Sequence, residues 1–148
     1  MVIIDPTAHT LHVIVSFSGL VGNTTASHIH CCTVAPLTGT AMVATAVPTF
    51  PGFPLGVTSG TYDMTFDTLD DATYNPAFEA AHGGTAAGAE AGLFAGIIAG
   101  EAYLNVHSTF RPGGEIRGFL APEPASLALL GVALAGLGAA RRRLRIAA

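Results

Sequence analysis

Leu11, Val13, Val15 and Phe17 stand at alternate positions, with His12 and Ser16 between them. A period of two is the signature of a strand with one buried face. It returns at Tyr62, Met64 and Phe66, and again at Ala102, Leu104 and Val106. The stretch "ASHIHCC" reads as a further strand. It places His28, His30 and Cys32 on one face and Ile29 and Cys31 on the other. "GTAMVATAV" is another short strand candidate, and the N-terminus reads as a strand, a turn at Asp5-Pro6, and a second strand. Turn residues separate these segments. Gly19–Asn23 ends the first long strand, and Pro48, Pro51 and Pro54 make the stretch between the central strands a rigid loop.

One region departs from this rhythm. Over residues 75–100, Asn75 offers an N-cap with Pro76 at the first helical position, and Gly83-Gly84 stops that turn. "TAAGAEAGLFAGIIAG" then forms a second helix, with Gly88, Gly92 and Gly96 four apart on one face. Two readings stay open for these glycines: a close-packing face, or a weak helix. The final stretch, 101–120, reads as a hairpin with a loop over roughly 110–114. If its apolar faces coincide, paired residues sum to an even number, as in Leu104 with Leu120. That register puts His107 beside Arg117 with Glu115 on the same face. Short strands, glycine and proline turns and one helical insertion predict an antiparallel β-sandwich or Greek-key barrel.

Charge narrows the partners. Residues 1–121 carry nine acids and two arginines, and the chain has no lysine. An acidic body excludes nucleic acid as a partner, because phosphate binding needs a basic face. The two cysteines, Cys31 and Cys32, are adjacent. Neighbours in an extended chain point to opposite faces, so free or buried thiols are expected rather than a disulfide.

The basic residues gather at one end. Residues 125–140 carry no charge, and Arg141, Arg142, Arg143 and Arg145 follow. A spanning helix needs about 20 apolar residues, and snorkelling arginines can extend a shorter run. The order Pro122-Glu123-Pro124, apolar run, arginine cluster resembles the PEP-CTERM sorting signal of Gram-negative bacteria. The resemblance implies export, a transient C-terminal transmembrane helix, and processing by an exosortase. The protein would then end at the cell surface or outside the cell, with exopolysaccharide or envelope proteins as partners. It divides the chain into a β domain, 1–121, and a sorting segment, 122–148. "MVIIDPTAHTL" has no basic stretch, apolar core or cleavage site of a signal peptide. The expectation is that a signal peptide and at least one further strand precede Met1 in the full reading frame.

"SFSGL" (16–20), "SHIH" (27–30), "AYLNVHS" (102–108) and "PGGEIRGFL" (112–120), in this order, resemble the CHRD domain. The resemblance covers about residues 2–121 and implies no defined activity. Cys31-Cys32 stands where many members have a glycine turn, so it assigns the cysteines no role. A second similarity bears on chemistry. His-x-His on one strand, a later strand ending in Val-His, a glycine turn and an arginine are also features of copper–zinc superoxide dismutases. Carried over, His28, His30 and His107 would be metal ligands and Arg117 an anion guide. Alternate positions project two imidazoles from one face, and a third from a facing strand completes an N3 site suited to copper or zinc. Between residues 31 and 100 the only histidine is His82, so a bridging histidine and a zinc loop are missing from the pattern.

The alternative for the same residues is a metal-free polar cluster of His28, His30, Asn105, His107, Glu115 and Arg117, tying two strands together. His9, His12 and His82 read as solvated or turn residues. No Ser-His-Asp set, phosphate loop or nucleotide fingerprint stands out, which favours a non-enzymatic role. The absence of Trp and the presence of three Tyr weaken a carbohydrate-binding reading. The expected function is an exported, transiently membrane-anchored, non-enzymatic envelope or extracellular-matrix module. The alternative is a copper- or zinc-binding protein with a dismutase-like metal site.

Overall fold

The computed structural model describes residues 1–122. Its elements are β1 (Val2–Asp5), β2 (Thr10–Phe17), β3 (Thr24–His30), β4 (Gly60–Asp67), α1 (Pro76–Ala81), α2 (Ala86–Ile98), β5 (Ala102–Ser108) and β6 (Ile116–Leu120). The strands pair into two antiparallel three-stranded sheets, β1-β2-β4 and β3-β5-β6. The period-two segments at 11–17, 62–66 and 102–106 are β2, β4 and β5. Leu11, Val13 and Val15 lie directly opposite Phe66, Met64 and Tyr62, so both apolar rows face one side. Ile29 of β3 and Val106 of β5 answer from the other sheet, joined by Leu93 of α2 and the rings of Phe50 and Phe78. Each large side chain buried this way contributes about 1.5–3 kcal/mol before entropy is counted.

The two sheets do not join into a closed barrel among the described residues, so of the two expected architectures only the sandwich-like arrangement of layers is present. β1 and β6 are edge strands, and both border an apolar groove that Val15, Ile97 and Leu104 help to line. Closure would require a hydrogen-bonded ladder between such edges. Among the described residues no helix is long and apolar enough to cross a membrane. The expected C-terminal transmembrane helix lies outside the described residues.

Several local expectations need correction. "GTAMVATAV" is not a strand. Val43 and Thr45 make only single bridges, to His30 and Tyr74. The segment crosses β3 at one point, where the Ile29 carbonyl accepts the Ala44 amide at 2.9 Å and the Thr45 hydroxyl accepts the Ile29 amide at 3.0 Å. The cysteines are not free thiols: Cys31 and Cys32 form a disulfide. β3 ends at His30, so the opposite-face argument for an extended chain does not apply to Cys31 and Cys32. Both sulfurs rest against Gly96 of α2. Gly88 and Gly92 meet the carbonyl and ring of His82, so the three glycines form a close-packing face.

The hairpin keeps the even sum but shifts by two residues. Ala102 pairs with Leu120 and Asn105 with Arg117. Gly114, at φ 118°, sits so close over the Asn105 amide that a Cβ there would collide with it. The connection therefore needs more residues than the expected loop, and Arg117 moves away from His107.

Candidate metal centre

The outer face of β3-β5-β6 carries the densest polar chemistry in the fold. Alternation puts His28 and His30 of β3 on that face. Pairing sets His28 opposite Asn105, His30 opposite Tyr103 and Ala26 opposite His107. The face is not left open to water. The proline-rich loop after β3 returns across it, and the β5–β6 turn closes over the far end. His28 and His30 are buried, and His107 is half-buried.

Each imidazole is anchored by one backbone carbonyl. His28 Nε2 donates to Pro48 O at 2.7 Å, His30 Nδ1 to Ala41 O at 2.9 Å, and His107 Nδ1 to Pro112 O at 2.7 Å. A carbonyl only accepts, so these three nitrogens carry the protons. In the neutral rings the other three nitrogens, His28 Nδ1, His30 Nε2 and His107 Nε2, then present lone pairs. One nitrogen from each ring lies within 4.8 Å of the others. His28 Nδ1 and His107 Nε2 are 3.2 Å apart. An ion about 2.0–2.1 Å from each nitrogen in tetrahedral geometry would space them by about 3.3 Å.

The electrostatics keep the lone pairs free. Burial, reinforced by the neighbouring His107 and His30, pushes the His28 pKa down to about 4 against the opposing Pro48 hydrogen bond. Burial also lowers that of His30, with His107 and Arg117 adding to the effect. Both rings are therefore neutral at pH 7. His30 Nε2 is buried without a hydrogen-bond partner, and so is Asn105 Oδ1. An orphaned, inward-facing imidazole nitrogen costs free energy that a bound cation would offset. The donor set fits copper or zinc: neutral imidazoles as ligands, each with its outer N–H held by a carbonyl.

The structure divides the expected polar cluster. Asn105 stays on the face, and its Nδ2 donates to Gly113 O at 3.1 Å, steadying the turn that offers Pro112 O to His107. Arg117 lies beside Tyr103 and Phe119 and donates to Gly39 O at 3.0 Å, making no hydrogen bond to a histidine. Glu115 leaves the cluster. It accepts the Ser108 hydroxyl and the amides of Val21 at 2.5 Å and Gly22 at 3.2 Å. The Ser108 hydroxyl and these amides lower its pKa. Residue 115 precedes β6, so strand alternation does not govern where it points.

The remaining histidines lie outside this face, His9 in a turn and His12 partly exposed, and each has a partner of its own. His9, in a turn at φ 54°, meets Glu90 at 3.0 Å. His12 meets Asp63 at 2.6 Å. His82 donates to Phe78 O at 2.8 Å and packs on the Phe78 ring. Tyr103, stacked on His30, was missed as a site residue. Its signal was present, since it lies two and four positions before Asn105 and His107. The carbonyls of Ala41, Pro48 and Pro112 gave no such signal.

No curated protein and no solved structure matches the chain. The PEP-CTERM protein-sorting motif matches residues 120–143. That motif implies export, membrane anchoring during sorting and processing by an exosortase, a membrane enzyme. The CHRD domain matches residues 1–120, most of the chain's length, and the β-rich body with its three-histidine face therefore belongs to the CHRD domain family.

Proposed function

We propose that this protein is a non-enzymatic module of the cell envelope or extracellular matrix that holds one copper or zinc ion at His28, His30 and His107. One observation carries the reading: three carbonyl-anchored imidazoles each place a nitrogen within 4.8 Å of the others. The metal-free polar cluster has less support, because Glu115 and Arg117 make no hydrogen bonds to the histidines and His30 Nε2 has no partner. When bound, the ion would supply a Lewis-acid or redox centre. The chain's own residues orient the ligands and shield two of them from water.

We further propose the division into residues 1–121 as the functional body and residues 122–148 as the sorting segment. A final location at the cell surface or outside it, beside exopolysaccharide or other envelope proteins, follows from that reading. The deciding experiment is elemental analysis of the purified exported form beside His30→Ala. About one equivalent of copper or zinc in the wild type, lost in the variant, is expected for a mononuclear site. Absence of metal from both proteins, after exposure to each ion, overturns the proposal.

A further inference from the structure

His30 is held differently from the other two proposed ligands. Its ring lies flat on the Tyr103 ring, with centroids 4.8 Å apart and planes 5° from parallel. By contrast the His28 and His107 rings meet edge to face. Ala41 ties the stacked pair together. Its carbonyl accepts His30 Nδ1–H at 2.9 Å, and its amide donates to the Tyr103 hydroxyl at 3.2 Å. Arg117 Cζ lies 5.1 Å from the Tyr103 ring centroid, while its Nη1 donates to Gly39 O at 3.0 Å. Residues 39 and 41 belong to one loop. The column Arg117–Tyr103–His30 is thus fastened to that loop at both ends.

We propose that Tyr103, braced by Arg117, is the positioning residue of the metal centre: it fixes the plane of His30 so that Nε2 points inward. The inference rests on the metal reading above. It assigns Tyr103 no contact with the ion. Buried and stacked, Tyr103 removes the ring rotation that His30 would otherwise retain, and the Ala41 peptide selects the tautomer with the proton on Nδ1. Arg117 adds a cation to the Tyr103 ring and so favours the same arrangement.

The test uses the full chain with Tyr103→Leu, Tyr103→Phe and Arg117→Gln. Copper(II) affinity is read by chelator competition, and the coordination by electron paramagnetic resonance. Tyr103→Leu is expected to weaken binding by about 10–100-fold and change the spectrum, as loss of an outer partner does. Tyr103→Phe keeps the stack and should recover most of the affinity. Arg117→Gln should fall between them. The His30 tautomer in the metal-free protein is read in parallel by nitrogen NMR, with Nδ1–H expected in the wild type and a mixture in Tyr103→Leu. Wild-type affinity and spectrum in a folded Tyr103→Leu would overturn the proposal. If the wild type takes up no metal, the metal reading fails separately. An unchanged tautomer would then reject the positioning role, and a mixed one would uphold it. Should Tyr103→Leu not fold, an unchanged spectrum and tautomer in both other variants would overturn it.

Discussion

The two outer faces of the fold carry histidines at comparable positions and treat them in opposite ways. On β1-β2-β4, His12 stands beside Asp63, whose side chain is 71% exposed. A solvent-exposed carboxylate is the partner of that imidazole. On β3-β5-β6, loops cover His28 and His30, carbonyls take their outer N–H groups, His28 Nδ1 faces His107, and His30 Nε2 is buried without a hydrogen-bond partner. Neither ring has a carboxylate bonded to it. Alternation alone does not make a ligand of a strand histidine. In the proposed metal reading the covering loops do, by removing water, fixing the tautomer and leaving a lone pair unpartnered.

The largest effect that separates the faces is ligand-induced stabilisation. At a free copper(II) concentration about 1,000 times the dissociation constant, a site specific to the folded state adds about 4 kcal/mol. Thermal unfolding of the wild type should show a corresponding rise in midpoint. His30→Ala should show none, and His12→Ala should keep it all. A response lost equally in both variants would break the distinction between the faces.

Acid should expose the same contrast without metal. Because the folded-state pKa of His28 is lowered to about 4, the unfolded chain binds more protons below its usual value of about 6.5. Stability is therefore lost as pH falls from about 6.5 toward about 4, and the loss levels off below that. His30 acts in the same direction. The expected loss attributable to His28 is on the order of 1–2 kcal/mol, discounted for residual solvent screening. Denaturant unfolding across this range checks it, with His28→Gln expected to flatten the slope. An equally steep slope in the variant would place the proton uptake elsewhere.

A smaller effect tests the support beneath the face. Asn105→Leu removes the donor to Gly113 and lets the turn that holds Pro112 loosen. The lost hydrogen bond should cost about 1 kcal/mol, softened because Asn105 Oδ1 is unpartnered already. Metal affinity should fall by about 10-fold through His107, at the lower end of outer-partner effects. Calorimetry and chelator competition read the two separately.

How much of this was legible before the fold follows from what each feature depends on. Strand alternation is local, so Leu11 to Phe17 and Tyr62 to Phe66 announced their inward faces. The same logic put His28 and His30 together, and strand order brought His107 to them. Register across the final hairpin is not local. It turns on Asn105 fitting beneath Gly114, which no periodicity encodes, so the position of Arg117 was two residues out. Glu115 lies before β6 and the cysteines lie after β3, where alternation has no authority. The carbonyls that fix the tautomers belong to loops, and every residue has a carbonyl. Composition therefore could not single out Ala41, Pro48 or Pro112.

The smallest expected effect is also the sharpest control. His12 and Asp63 form the closer histidine contact, at 2.6 Å, yet Asp63 is mostly in water. Exposed pairs contribute little, because screening and side-chain entropy offset the attraction. Asp63→Asn should change stability by less than about 0.5 kcal/mol and leave metal uptake intact. Denaturant unfolding and elemental analysis of that variant measure both. A larger loss would mean that the solvated face contributes more than its exposure allows. A loss of metal would mean that the ion sits at His12 and Asp63, so this one variant tests whether burial under the loops, rather than the closeness of a partner, decides which histidines bind metal.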